Sequence, residues 1–119
     1  MGKYKELKVW QKAMDLAVKV YKKTENGPIS KDFGLRDQIR RSSVSIVSNI
    51  AEGDELDTVK QGIKHFYYSR GSLAELETQL MLCQRIGYDQ LNSIVDLLKD
   101  CKEIGAMLNG LINYRSKTN

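Results

Sequence analysis

Apolar residues recur at helical spacing in four separate stretches of this chain, with polar residues on the faces between them. In the first, about residues 6–24, Leu7, Met14 and Tyr21 share one heptad position, Trp10 and Ala17 a second, and Ala13 and Val20 a third. Asn26, Gly27 and Pro28 stop it: Pro28 cannot continue a helix, Gly27 eases the turn, and Ser30 or Asp32 can cap the next helix. The second stretch, about 32–52, puts Leu35, Ile39, Ser42, Ser43, Ile46 and Ile50 on one stripe. It is read as closing on Gly53 in a left-handed cap, with a turn over Asp54 to Asp57. Thr58 with Gln61 has the form of a capping box and starts the third helix, about 59–86, which Gly87 ends. Gly62 and Gly71 inside it each forfeit about 1 kcal/mol of helix propensity relative to alanine, the mark of a close helix crossing at one or both. The fourth helix, about 90–114 behind an Asp89 cap, carries Leu91, Ile94, Val95, Leu98, Cys101, Gly105, Leu108 and Ile112, and the polar tail after Tyr114 is expected to fray. Four amphipathic helices joined by short turns predict an all-α protein, an antiparallel up-down-up-down four-helix bundle forming one domain over residues 1–119.

Two features depart from a plain bundle pattern. The segment Gln38 to Gly53, QIRRSSVSIVSNIAEG, brings four serines and Asn49 to a face that should be buried, where each hydroxyl or amide costs free energy unless something answers it. The best match is Tyr68 to Gln84, YSRGSLAELETQLMLCQ, where Arg70, Glu77 and Gln84 share a stripe with Leu73, Ala74, Leu80 and Met81. The two segments therefore read as partner helices, with Ser45, Asn49, Arg70 and Glu77 as structural polar residues. Asn49 and Glu77 are expected to be buried, with Arg70 or Arg41 as the charge partner of Glu77. The second feature is an extra stripe on the fourth helix, Leu97, Ile104 and Leu111 with Met107 between, which widens its apolar face beyond the ~100° that packing within a bundle requires. Another subunit is the simplest cover for it, so a homo-oligomer is expected with these four residues at its interface.

Charge adds a candidate function. Net charge is +4, yet residues 1–23 hold seven lysines against Glu6 and Asp15, so the basic character belongs to the first helix. Lys5, Lys8, Lys12, Lys19 and Lys23 lie opposite the apolar face, in a strip roughly 25 Å long. A solvated face explains them as simply as nucleic acid or an acidic partner does. Hydrophobic content of 41% and charged content of 29% suit a globular protein, and no apolar run is long enough to span a bilayer or serve as a signal peptide, so a cytoplasmic protein without membrane contact is expected. Catalytic chemistry is thinly supplied. His65 is the only histidine, no glycine loop follows a strand to hold phosphate, and Cys83 and Cys101 lack metal spacing and read as packed core thiols. No catalytic residue, metal site or cofactor is assigned.

Three motifs in order, ELKVWQKAMDLAVKVY, GLRDQIRRSSVSIVSNIAEG and GSLAELETQLMLCQRIGY, resemble the bacterial four-helix bundle proteins first described from intervening sequences in large-subunit ribosomal RNA genes, over residues 6–88. That family is similar in architecture to the accessory variability determinants of diversity-generating retroelements, basic homopentameric barrels that bind nucleic acid together with a reverse transcriptase. The resemblance implies a pentamer, and RNA, DNA, a reverse transcriptase or another protein as partner. Val47 stands where the family often has proline, and Ser42 and Ser43 where alanines are frequent, so the second helix is expected to run straighter than its relatives. Two functional readings result. The first is a non-enzymatic oligomeric bundle that binds nucleic acid, in particular structured RNA, with Lys5, Lys8, Lys12, Lys19, Lys23, Arg36, Arg40 and Arg41 as phosphate contacts. The second is a protein scaffold or adaptor that binds no nucleic acid.

Overall fold

The computed structural model describes residues 2–56, 58–88 and 93–117. Four helices make up the fold: α1 (Lys8–Lys23), α2 (Phe33–Glu55), α3 (Val59–Arg85) and α4 (Ser93–Lys117), with short 3-10 turns at Tyr4–Glu6 and Pro28–Lys31 and no strand among the described residues. It is an all-α four-helix bundle. Helices α1 and α3 each pack on both α2 and α4, and the α2–α3 contact is the most extensive. The long dimension of 46 Å matches the roughly 40 Å expected of the 27-residue α3.

The ends follow the local chemistry. Thr24, only 5% exposed, closes α1 by donating its hydroxyl to the Val20 carbonyl at 2.7 Å. Gly27, at φ +77°, then turns the chain into Pro28. Asp32, rather than Ser30, caps α2 by accepting from the Leu35 amide, while Thr58 caps α3 by accepting from the Gln61 amide. Gly87, at φ +83°, ends the turn after α3. The Asp89 cap and Leu91 fall outside the described residues.

Two boundaries differ from expectation, each for a physical reason. Gly53 does not end α2; it lies within the helix because two backbones meet there. A Cβ on Gly53 would stand 2.8 Å from the Gly62 carbonyl oxygen and strike the Phe66 ring, and one on Gly62 would strike the Gly53 carbonyl. Of the two α3 glycines at which a crossing was anticipated, one or both, it is Gly62 that makes one, while a Cβ at Gly71 would meet open space. The turn shortens accordingly, since Asp54 and Glu55 are helical and Asp57 lies outside the described residues. Nor does α4 fray after Tyr114. It continues to Lys117, tied by an ion pair of Arg115 to Asp54 at 2.8 Å.

Phe66, Leu16, Ile39, Ile46, Ile50, Leu76, Leu80, Ile104 and Leu108 are wholly buried between the four helices. Leu97 is also in this core, 2% exposed, and Met107 and Leu111 pack half-buried against it. Leu97 and Ile104 therefore do not face outward as an oligomer interface. Wedged between α1 and α3, α4 buries Ile94, Leu97, Cys101, Ile104, Leu108 and Ile112 together, so residues of both stripes share one core, while Val95 of the first stripe stays exposed. Apolar side chains left to water include Val95 on α4 itself, Met14, Val18, Tyr21 and Val44 on α1 and α2, and Met81, Leu82 and Ile86 at the end of α3.

The contrast between the two α3 glycines is testable by urea denaturation. Gly62→Ala is expected to cost about 1–3 kcal/mol, because backbone rather than a flexible side chain stands in the way. Gly71→Ala is expected to stabilise by about 1 kcal/mol through helix propensity alone.

Candidate nucleic-acid interface

The basic residues of α1 and α2 fall into distinct environments. Lys12 and Lys19 lie two turns apart and face α4, where Glu103 and Asp100 are one turn apart. The ammonium of Lys12 is 2.6 Å from Glu103, and that of Lys19 is 2.9 Å from Asp100. The hydrogen bond to Glu103 holds the Lys12 pKa above its ordinary value despite partial desolvation. Both lysines thus join helices. By contrast Lys5, Lys8 and Lys23, with Lys3 and Lys22 beside them, are exposed and form no ion pair among the described residues.

The arginines divide in the same way. Arg40 packs its guanidinium 4.7 Å from the Tyr21 ring centre, donates from Nε to Thr24 Oγ1 at 2.9 Å, and thereby pins the end of α1 to α2. Arg36 is half-buried, donating to the Ser30 carbonyl at 3.2 Å and to Asp37 at 3.1 Å while covering the Phe33 ring. Arg41 is exposed and makes none of these contacts.

Between α2 and α3 the serines are answered, though by different partners from those expected. Ser42 donates to Gln79 Oε1 at 3.0 Å, Ser45 and Ser72 hydroxyls meet at 2.7 Å, and Ser69 donates to the Ile46 carbonyl at 2.8 Å. Asn49, half-buried, donates to the Ser45 carbonyl, and its Oδ1 lies 3.1 Å from Nδ1 of His65. The same nitrogen is 3.0 Å from Glu52. Glu77 is only half-buried and neither Arg70 nor Arg41 reaches it: Arg70 is exposed, donates to Asn109 at 3.0 Å, and stacks on Tyr67. The buried stripe of α3 runs through Gly62, Phe66, Ser69, Leu73, Leu76, Leu80 and Cys83. Glu77 flanks that stripe, whereas Gln79, 9% exposed, lies within it. Alternating steps of three and four from Phe66 to Cys83 were the available signal; reading steps of seven from Arg70 gave the wrong face.

Cys83 and Cys101 are reduced thiols packed in the core, as the spacing predicts. Burial, and then the charges of Glu77 and Asp100, push the Cys101 thiol up to about 12. Among the described residues no group of three His, Cys, Asp or Glu side chains could hold a metal ion, and no helix is long and apolar enough to cross a membrane.

A family model described as 23S rRNA-intervening sequence protein matches residues 5–110. Among solved structures the chain is similar to a protein of unknown function from the S23 ribosomal protein family of Bacteroides thetaiotaomicron VPI-5482, with 28% identity over 87% of this chain and 97% of that one, at a TM-score of 0.79. No curated protein matches the chain.

The polar seam and the buried thiol each give a measurable expectation. Gln79→Ala, which strands Ser42, is expected to cost about 1–3 kcal/mol in denaturant titrations, and Glu77→Ala only a few tenths. For Cys101 the unfolded thiol titrates near pH 8.5, below the folded value, so the unfolded chain loses its proton first as pH rises. This group's stabilisation is complete below about pH 8.5 and is lost towards pH 12, at up to about 1.4 kcal/mol per unit. Cys101→Ala should flatten that part of the stability profile between about pH 9 and 10 relative to the parent.

Proposed function

The chain belongs to the 23S rRNA-intervening sequence protein family, and on that footing we propose that it is a non-enzymatic, cytoplasmic nucleic-acid-binding bundle whose partner is structured RNA. The observation that carries this reading is the sorting of the α1 lysines. With Lys12 and Lys19 engaged by α4, the exposed cations gather at the two ends of the helix: Lys3, Lys5 and Lys8 at one, Lys22 and Lys23 at the other. Lys8 and Lys23 are roughly 22 Å apart along the axis, so a single chain offers two separated phosphate contacts and favours a partner with fixed phosphate spacing. Affinity of this kind arises chiefly from counterion release and reads shape rather than sequence.

Assembly multiplies such contacts. Met14, Val18 and Tyr21 on α1 and Val44 on α2 are exposed, as are Met81, Leu82 and Ile86 at the end of α3, and we read these as two unlike apolar patches. Two unlike patches suit a heterologous contact repeated around a ring better than a two-fold dimer, in keeping with the pentamer implied by the family resemblance. The same patches support the alternative reading, a protein scaffold or adaptor, in which the lysines serve solubility.

Titration with a folded RNA hairpin across a salt series separates the two. Binding is expected to weaken with a log–log slope of about −0.9 for each duplex phosphate neutralised. Replacing Lys5, Lys8 and Lys23 with glutamine should flatten that slope, whereas Lys12→Gln and Lys19→Gln should leave it nearly unchanged. Absence of association at low salt would remove the RNA reading and leave the scaffold. Sedimentation of a monomer at micromolar concentration would remove the ring.

A further inference from the structure

The solvent face of α3 carries a second kind of surface that the lysines of α1 do not explain. Tyr67 and Tyr68 are 47% and 49% exposed in the middle of a helix whose other side is closely packed. Each ring is held by cationic or imidazole neighbours. The Arg70 guanidinium stands 4.7 Å from the Tyr67 ring centre and is itself fixed by Asn109, 3.0 Å away. Lys64 lies 6.0 Å from the Tyr68 ring centre, and the His65 ring meets Tyr68 edge-on at 5.3 Å. Lys60, Lys64 and Arg70 bear the charge of this face and form no ion pair among the described residues, while the nearby Glu52 is taken up by His65. Gly71, one turn on, adds no side chain to this face.

We propose that this face, Lys60, Lys64, Tyr67, Tyr68 and Arg70, is a platform for single-stranded nucleic acid, on which unpaired bases stack against the tyrosine rings and the Arg70 guanidinium while the ammonium groups meet the flanking phosphates. The proposal rests on the nucleic-acid reading above and adds to it a site and a ligand form, the unpaired loop or end of a structured RNA. Three features favour bases over an acidic peptide. Flat π surfaces are presented to water rather than buried, the cations lie beside the rings and not in a separate cluster, and rings already held in place lose little freedom on binding. A duplex keeps its bases stacked inside and would meet only the cations.

The test compares a 15-nucleotide oligouridylate with a fully paired RNA duplex by fluorescence anisotropy at one moderate salt concentration, using the whole 119-residue chain. The double variant Tyr67→Ala/Tyr68→Ala is expected to lose about 10- to 100-fold in affinity for the single strand, with duplex affinity and the single-strand salt slope nearly unchanged. Tyr67→Phe/Tyr68→Phe, which keeps the rings and their packing, should retain most of the single-strand affinity, and circular dichroism confirms that each variant is folded. The inference is overturned if the parent binds duplex but not oligouridylate, if the alanine pair weakens both ligands alike, if the phenylalanine pair fails to rescue, or if polyglutamate competes as well as oligouridylate. Parent protein that binds duplex with a lysine-dependent salt slope, together with tyrosine variants that change nothing, would sink this platform alone. Binding of neither RNA at low salt would sink the reading it rests on as well.

Discussion

Two helix backbones touch where Gly53 of α2 lies against Gly62 of α3, and this contact sets the geometry of the most extensive helix pair in the bundle. Helices that meet through side chains stay about 8–10 Å apart; meeting through glycine brings the axes nearer and leaves no space for a Cβ on either side. Proximity has a consequence further along the pair, because it brings small hydroxyls within reach of one another. Ser45 and Ser72 can share a hydrogen bond only if their Cα atoms are close, and Ser69 reaches the Ile46 carbonyl for the same reason. Alanine would fit this seam equally well by size. Serine adds direction, since each hydroxyl is satisfied in one register and stranded in others.

Charge on the bundle is organised by the opposite rule, that flexible side chains choose their partners. Lysines at positions 12 and 19 repeat every seventh residue and therefore share a line along α1. The line happens to face Asp100 and Glu103, so part of the basic surface of α1 is spent on joining it to α4. Pairs this exposed add little to stability, but they fix which lysines remain available to a partner. Arg40 makes a similar choice. Its guanidinium answers Thr24 and covers Tyr21, contributing packing and a cap to the end of α1.

Helix number, the cap at Thr58, the Gly87 stop and the buried thiols could all be read from spacing and turn chemistry, which are local properties, and the α2 cap could be narrowed to Ser30 or Asp32. What could not be read was relational. Gly53 looks like a terminator because glycine after an apolar run usually is one, and only the presence of Gly62 opposite shows that it serves a crossing. Leu97 and Ile104 look like surplus apolar width until α4 is placed between two neighbours that cover them both. Glu77 and Gln79 are two residues apart and roughly 200° apart around the helix, so a stripe drawn through Glu77 leaves out Gln79, the amide that α2 covers. The lysines were legible as a strip, but their division into engaged and free groups depends on carboxylates on the last helix, far away in sequence.

The seam between α2 and α3 also decides what the outer surface of α3 presents. Moving α3 by one residue relative to α2 would shift it about 1.5 Å along its axis and turn it by ~100° for the same contacts to be sought. That single step would break the bond of Ser42 to Gln79, the bond between Ser45 and Ser72, and the bond of Ser69 to the Ile46 carbonyl. It would also drive a Cβ into the Gly53 backbone, because the residues beside Gly62 are Gln61 and Ile63. An apolar seam would resist such a slide only through packing, which tolerates near neighbours of similar volume. The polar seam resists it through several groups that cannot all be satisfied elsewhere. Tyr67 and Tyr68 are thereby held on the solvent side with Arg70 and Lys64 beside them, so the hydroxyls buried on one face of the helix determine the aromatic and basic groups displayed on the other.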